Sequence, residues 1–304
     1  MIERLGLGLA ALGRPAYINL GREGELPAGR TVAAMRAACW EVLDAAYASG
    51  IRWVDAARSY GRAEEFLAGW LADRGHRDVM VSSKWGYAYV GDWRIDADVH
   101  EVKEHTLTRY RSQIAETRKL LGDHLGLYQV HSLTADSPLF DDVPLQRALA
   151  AEGVRMGFST SGAAQADTVR RALDLEVDGR RLFTAVQSTW NLLEPSVADA
   201  LRAAHDAGLH VLVKEVLANG RLAVQPPPPV ARLAERHGVG PDAIALAAAL
   251  AQPWADTVLI GAASVPQLHA NLLAVDLTLD DDLSADLAMP PAEYWAERAT
   301  LPWN

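Results

Sequence analysis

Eight short apolar runs, each followed by a helix-length amphipathic stretch, limit what this chain can fold into. They are Leu5–Leu9, Ile51–Asp55, Val79–Ser83, Leu127–His131, Val154–Phe158, Phe183–Gln187, His210–Val213 and Thr257–Ile260. Short, apolar and rich in β-branched residues, they suit strands covered on both faces, as in a parallel sheet. Between them, Val32, Met35, Cys39, Val42 and Ala46 recur at three-to-four-residue steps, as do Leu107, Tyr110, Ile114 and Leu121. That spacing gives a helix one apolar face. Gly50 and Gly208 stand where helices end in a left-handed residue, and Pro241 opens a helix behind Gly240. Eight strands with crossover helices close into a ring more readily than they lie open, so the expected fold is α/β, a single (β/α)8 TIM barrel over residues 1–304. An open doubly wound sheet would want a glycine-rich phosphate turn after an early strand, and Gly6–Gly8–Gly13 does not match that fingerprint.

Three segments lie outside the repeat: a long loop from Gly13 to Arg30, a stiff polyproline stretch from Pro226 to Pro229, and a tail from Pro290 to Asn304 carrying Tyr294, Trp295 and Trp303. No linker divides the chain. With 304 residues, half of them hydrophobic, one sizeable core is affordable. The net charge of −10 argues against nucleic acid as a partner. No apolar run approaches the roughly 18 residues that span a bilayer, and the N-terminus lacks the basic head and cleavage site of a signal. The lone Cys39 has no disulfide partner, reads as a small buried hydrophobe, and fits a reducing, cytoplasmic location. Nine histidines and one cysteine show no zinc-like spacing, so no metal is expected.

In a barrel, chemistry sits at the C-terminal ends of the strands and in the loops that follow. Four ionisable residues fall there. Asp55 ends the second strand, Tyr60 follows in the loop RSYGRAE, Lys84 ends the third in VSSKWG, and His131 ends the fourth in LYQVHS. Alternation puts Lys84 on one face with Ser82 and Met80, and His131 with Gln129 and Leu127. Singly, each has an ordinary explanation as cap, turn or packing residue. Together they are harder to dismiss, and a lysine ending an apolar strand wants a carboxylate, for which Asp55 is the neighbour.

The run GIRWVDAARSYGRAEEFLAGWL, followed in order by VSSKWG and LYQVHS, resembles the aldo-keto reductase superfamily, and GFSTSG, VQSTWNLLEP, KEVLANGRL and IGAASVPQLHANL are similar to its cofactor loops. The similarity covers essentially the whole chain and looks nearest to the galactose- or aldose-dehydrogenase branch. It implies an oxidoreductase using NADP(H) or NAD(H) and acting on an aldehyde, ketone or sugar or the matching alcohol; the residues leave the oligomeric state open, and the resemblance favours a monomer. Tyr60 would be the general acid or base, its pKa lowered by Lys84, which Asp55 holds charged. His131 would orient the carbonyl oxygen while hydride moves between the cofactor and the carbonyl carbon. The resemblance further implies that Ser159, Thr160 and Gln187 meet the nicotinamide carboxamide and that Lys214 stands near its ring. Leu217, Ala218 and Gly220 would cradle the pyrophosphate. Gly261, Ala262, Ser264, Gln267 and Asn271 would approach the adenosine end at a helix N-terminus. Ser264 and Gln267 have capping-box spacing and serve that role equally well. Trp85, Tyr17 and the tail aromatics are candidates for the substrate pocket, with plain packing the competing reading. The same likeness is compatible with a cofactor-binding sensor barrel of negligible turnover.

The pattern departs from the family at three places. Thr160 stands where Asn is usual, and Lys214 where an aromatic ring often lies under the nicotinamide. Gly261, Ala262 and Ala263, with Gln267 where Arg is common, offer no cation for a 2′-phosphate, which implies that NADH is used at least comparably to NADPH.

Overall fold

The computed structural model describes residues 1–21, 23–279 and 283–303; Arg22 in the first loop, Asp280–Asp282, and Asn304 at the end of the tail lie outside the described residues. Each of the eight apolar runs contributes a strand: β1 Leu5–Gly8, β2 Trp53–Asp55, β3 Met80–Trp85, β4 Leu125–Leu133, β5 Arg155–Thr160, β6 Ala185–Thr189, β7 His210–Lys214 and β8 Thr257–Ile260. They form a closed parallel barrel in sequence order, β1 pairing both with β2 (Gly8 opposite Asp55) and with β8 (Leu7 opposite Ile260). Helices α1 Val32–Ala48, α2 Ala63–Arg74, α3 Leu107–Leu121, α4 Val143–Ala150, α5 Gln165–Leu173 and α6 Ala198–Asp206 follow the first six strands. Helices α7 Pro228–His237 and α8 Pro241–Leu250 follow β7, and α9 Val265–Leu272 follows β8. The architecture is the expected (β/α)8 barrel.

The barrel interior changes character along its axis. At the N-terminal end Leu127, Ala185, Leu212 and Leu259 pack with Trp53 and Met80 in an apolar plug. Gly6 lets this layer pack closely: a Cβ there would sit 2.8 Å from a Leu259 methyl, which would have to shift. Because inward positions recur every second residue, the next inward layer is Asp55, Ser82, Gln129 and Gln187, and Lys84, His131 and Lys214 follow toward the C-terminal mouth. A chain that is apolar below and ionic above can bury polar groups at one end only. Outside the barrel, Phe66, Trp70, Tyr110, Tyr128, Phe158 and Trp254 fill the space beneath the helices. Arg4 closes the N-terminal end by donating to the carbonyls of Leu250, Gln252 and Ala255 at 2.6–3.2 Å.

Three local features differ from the sequence-based expectation. The polyproline stretch does not merely precede a helix: α7 begins at Pro228, because a proline in the first turn gives up an N–H that has no partner there anyway. Tyr87–Tyr89 pairs with Glu101–Lys103 as an antiparallel hairpin, and Glu176–Val177 with Arg180–Arg181, strands too short to leave a periodic signal. The tail forms helix α10, Pro291–Ala299. Among the described residues no helix is long and apolar enough to cross a membrane.

Gly13 joins fold to site. Its carbonyl accepts from the Arg62 amide at 2.8 Å, and a Cβ there would lie 2.4 Å from both the Tyr60 carbonyl oxygen and the Ala63 Cβ. Gly13→Ala is therefore expected to destabilise the protein by about 1–3 kcal/mol through overpacking and to lower turnover by moving the Tyr60 loop. Urea unfolding beside a steady-state assay checks this; a variant as stable and active as the wild type would show that the two loops are not in this contact.

Candidate active site

The polar layer is organised around one buried ion pair. Lys84 and Asp55 are 1% and 2% exposed. The Lys84 ammonium donates to both Asp55 carboxylate oxygens, one at 2.6 Å, and to the Ala56 carbonyl at 3.0 Å. Asp55 also accepts from the Gln187 amide at 3.2 Å on each oxygen and from Ser82 Oγ at 3.3 Å. A buried carboxylate with three donor groups and a buried ammonium with three acceptors meet the requirement that interior charge be paired and hydrogen-bonded. Burial pushes the Lys84 pKa down, and the Asp55 charge and hydrogen bonds work against that fall.

Tyr60 and His131 stand beside this pair. The two rings meet edge to face with centroids 5.6 Å apart, and Lys84 Nζ lies 4.9 Å from the Tyr60 ring centre. Burial first, and after it the nearby Lys84, Lys214 and Arg14 charges, hold the His131 pKa well below its ordinary value, so the imidazole is neutral. Its Nδ1 lies 3.3 Å from Ser59 Oγ; with that nitrogen accepting, Nε2 carries the ring proton. Tyr60 behaves differently from the sequence-based expectation. Burial, followed by the Asp55 carboxylate, pushes its hydroxyl well above the ordinary value near 10, Arg14 being the cation that opposes the rise. The expected lowering by Lys84 does not prevail, because burial and the Asp55 carboxylate outweigh it. The phenol is held protonated.

A cavity of ≈ 270 Å³ opens above these groups, lined by Asp55, Tyr60, His131, Gln187 and Lys214 and rimmed by the expected aromatics Tyr17 and Trp303 together with charged side chains that sequence reasoning did not single out. Arg14 and Glu101 form an ion pair at 2.9 Å, with Trp303 and Tyr17 packed on the Arg14 guanidinium at 4.9 and 4.6 Å. Trp303 in turn stacks on His100 at 4.4 Å. On the opposite side, Arg298 of α10 grips Glu215 at 2.5 and 2.8 Å, and Lys214 Nζ donates to Thr189 at 2.9 Å. Burial alone would raise the Glu215 pKa, but Arg298 and Lys214 outweigh it and bring the carboxyl to about 2. An Arg–Glu pair between a tail helix and a strand end leaves no local sequence pattern, which is why it was not legible.

The structure separates the remaining candidates. Tyr17, Leu217, Gly220 and Gly261 line the cavity, together with Ser161 and Asn219. Trp85 does not: one step from inward-facing Lys84, it points the other way and packs fully buried against Tyr110 and His105. Ser159 and Thr160 are not among the lining residues, although register sets Ser159 beside inward-facing Gln187. Ser159 Oγ accepts from the Ser132 amide at 2.8 Å, fixing the turn after His131, and Thr160 bonds Ser188 at 2.6 Å. Ala218, Ala262, Ser264, Gln267 and Asn271 are off the cavity wall as well. Ser264 caps α9, accepting from the Gln267 amide at 3.3 Å, and Gln267 reaches back to the Ala263 amide at 2.9 Å, close to a capping box. Asn271 is buried and donates to Asp242 at 2.6 Å. Among the described residues no group of three His, Cys, Asp or Glu side chains is arranged to hold a metal ion.

Comparison with known proteins agrees with this geometry. The model of the aldo/keto reductase family matches residues 4–288. The chain is 24% identical over 274 residues to the aldo-keto reductase str7 of Strobilurus tenacellus, covering 80% of this chain and 78% of that protein. It is 25% identical to the D-threo-aldose 1-dehydrogenase of a Pseudomonas species, covering 82% and 86%. Among solved structures, an aldo-keto reductase of Bacillus halodurans in its holo form superposes with a TM-score of 0.65 at 21% identity, over 97% of this chain and 91% of that one, a likeness of fold alone. With the family match running from β1 to beyond α9, the chain belongs to the aldo/keto reductase family of NAD(P)-dependent oxidoreductases.

Proposed function

We propose that this cavity interconverts a carbonyl and an alcohol with Tyr60 as the proton donor and acceptor at the substrate oxygen. The observation that carries the reading is the buried Lys84–Asp55 pair set against Tyr60 and His131 at the mouth of the barrel. A hydroxyl held protonated gives a proton to the carbonyl oxygen in reduction and recovers it in oxidation. Neutral His131, donating from Nε2, orients that oxygen, and the buried walls exclude water. Bound nicotinamide supplies the hydride in one direction and accepts it in the other.

The residues present suit a dinucleotide. The cavity runs from Tyr60 past Lys214 and Leu217 to Gly261, where a Cβ would meet nothing within 4 Å. Along the way Asn219 keeps a buried side-chain oxygen without a partner among the described residues. Gln187 and Ser161 are the polar side chains available to a carboxamide, and Leu217 to Gly220 the backbone available to a pyrophosphate. Aromatic faces beside Arg14 and Glu101 suit a polyhydroxylated carbonyl, and one relative is named for an aldose. A panel of aldehydes, ketones and free sugars, followed by nicotinamide absorbance, is expected to give turnover. Cofactor binding without turnover across that panel would overturn the reading and return the sensor barrel.

Cofactor choice follows from charge. The segment Gly261–Ala263 has no cation, and Ser264 at its end donates to the Glu25 carboxylate from the first loop. A carboxylate there repels a 2′-phosphate and accepts from a ribose hydroxyl. kcat/KM with NADH is expected to equal or exceed that with NADPH, and Glu25→Gln is expected to raise the NADPH:NADH ratio several-fold at low salt, where exposed charges are least screened. A large wild-type preference for NADPH would refute this.

A further inference from the structure

We infer that Lys214 selects the redox state of the bound nicotinamide: its ammonium, facing the cavity at the end of β7, opposes the positive charge that the ring carries only when oxidised. The inference deepens the carbonyl–alcohol reading above and rests on it.

Lys214 ends β7 opposite Thr189, two residues beyond inward-facing Leu212, so its side chain turns toward the barrel axis and lines the cavity with Tyr60 and His131. Its surroundings differ from those of Lys84, which bonds both oxygens of Asp55. Among the described residues the Lys214 ammonium has one hydrogen bond, to Thr189 Oγ1 at 2.9 Å. The carboxylate beside it, Glu215, stands 3.7 Å away, beyond hydrogen-bond reach. Glu215 is held at that distance by other partners. Arg298 takes both its oxygens, at 2.5 and 2.8 Å, and Thr189 donates to it at 3.3 Å. Yet Glu215 is close enough to matter. Burial lowers the Lys214 pKa, and Glu215, itself ionised with its carboxyl at about 2, is the chief influence keeping the proton on. The lysine is kept charged by a carboxylate that is kept from bonding it, and the ammonium is left facing the cavity.

Hydride passes between the nicotinamide ring and the carbonyl carbon, so the ring has to stand against the carbonyl whose oxygen Tyr60 and His131 receive. Those two side chains and Lys214 line the same ≈ 270 Å³, and Lys214 is one of the cations that depress the His131 pKa within it. The charge on the ring therefore comes and goes in the space that Lys214 faces. Between the two redox states only the ring changes charge, neutral when reduced and positive when oxidised; the phosphates and the adenosine do not. Lys84, Asp55, Arg14, Glu101, Glu215 and Arg298 also act on that difference, and the inference concerns the share of Lys214, which one substitution removes. Like charges a few ångströms apart at a largely buried site repel by roughly tenfold in an equilibrium constant. Lys214 thus weakens the hold on oxidised cofactor and leaves reduced cofactor untouched. The chemistry is linked to the affinity. Repulsion is relieved as hydride arrives on the ring and builds as hydride leaves, so in the bound complex Lys214 favours alcohol oxidation.

The test is a binding measurement. Dissociation constants for NAD+ and NADH are read by tryptophan quenching, without substrate, for wild type, Lys214→Met and Lys214→Arg. Lys214→Met is expected to bind NAD+ roughly tenfold more tightly while its affinity for NADH changes by less than about twofold. Lys214→Arg keeps the charge and is expected to keep the wild-type ratio of the two constants. Rate is expected to move against affinity: in single turnovers the Met variant oxidises 4-nitrobenzyl alcohol more slowly from the NAD+ that it holds more tightly. A role in packing alone would weaken both cofactor forms together and would not strengthen one. If both constants weaken alike, or their ratio stays at the wild-type value, Lys214 does not act on the ring charge and the inference falls alone. If wild type binds neither form, the carbonyl–alcohol reading falls and carries this one with it. Should Lys214→Met fold poorly, Lys214→Gln, which keeps a donor for Thr189, decides the matter by the same ratio.

Discussion

Tyr60→Phe is expected to lower kcat for carbonyl reduction by roughly 10²–10⁴-fold, the usual worth of a positioned proton donor. The substitution removes a single oxygen. The ring that packs edge to face on His131 and lies beneath Arg14 and Lys84 stays in place, so stability is expected to change little. The loss belongs in kcat more than in KM, because the hydroxyl matters most as the carbonyl oxygen gains charge in the transition state. Cofactor binding, read by quenching of the nine tryptophans, is expected to persist. Since the Tyr60 phenol is held protonated, the wild-type reduction rate is expected to stay flat through neutral pH and to fall only in strong alkali. A variant that turns over like the wild type would remove Tyr60 from the mechanism.

What the sequence disclosed and what it withheld divide along a physical line. Barrel strands are buried on both faces, so each reads as an unbroken apolar run, and a charge that interrupts such a run at its C-terminal end stands out. Asp55, Lys84 and His131 were legible for that reason. Arg14, Glu101 and Arg298 were not, because a loop, a short hairpin and a tail bring them to the mouth from remote parts of the chain, and nothing local records the approach. Adjacency also misled. Trp85 and Thr160 each sit one residue from a site position, and in a strand one residue is the difference between the cavity and the helix layer. The electrostatics were partly hidden too: lysine beside tyrosine suggests a lowered pKa, but which anion the lysine serves depends on the distances to Asp55.

Asp55→Ala is expected to cost about 3–5 kcal/mol of stability at pH 7, the penalty for leaving one member of a buried ion pair unmatched. Lys84 would keep the Ala56 carbonyl as its acceptor, while the Gln187 amide and the Ser82 hydroxyl would each lose an acceptor. The pH dependence fixes the cause. Burial already lowers the Lys84 pKa, and Asp55 is the chief influence holding it up. Without Asp55 the folded value falls further below that of an unfolded lysine, near 10.4. Between the two values the unfolded chain binds the extra proton, so the variant gains stability as pH rises toward 10. Its deficit relative to wild type is therefore expected to be largest near neutrality and to shrink in alkali, as read by urea unfolding at pH 7 and 9.5. A deficit under 1 kcal/mol at pH 7, or one that grows with pH, would mean that Lys84 finds another carboxylate. Replacing both members, Asp55→Leu with Lys84→Met, is expected to recover much of the lost stability, since apolar pairs of similar volume often match buried ion pairs. Activity is not expected to return with it, because the pair that steadies the site beside Tyr60 is gone, and that divergence separates holding the barrel together from preparing it for chemistry.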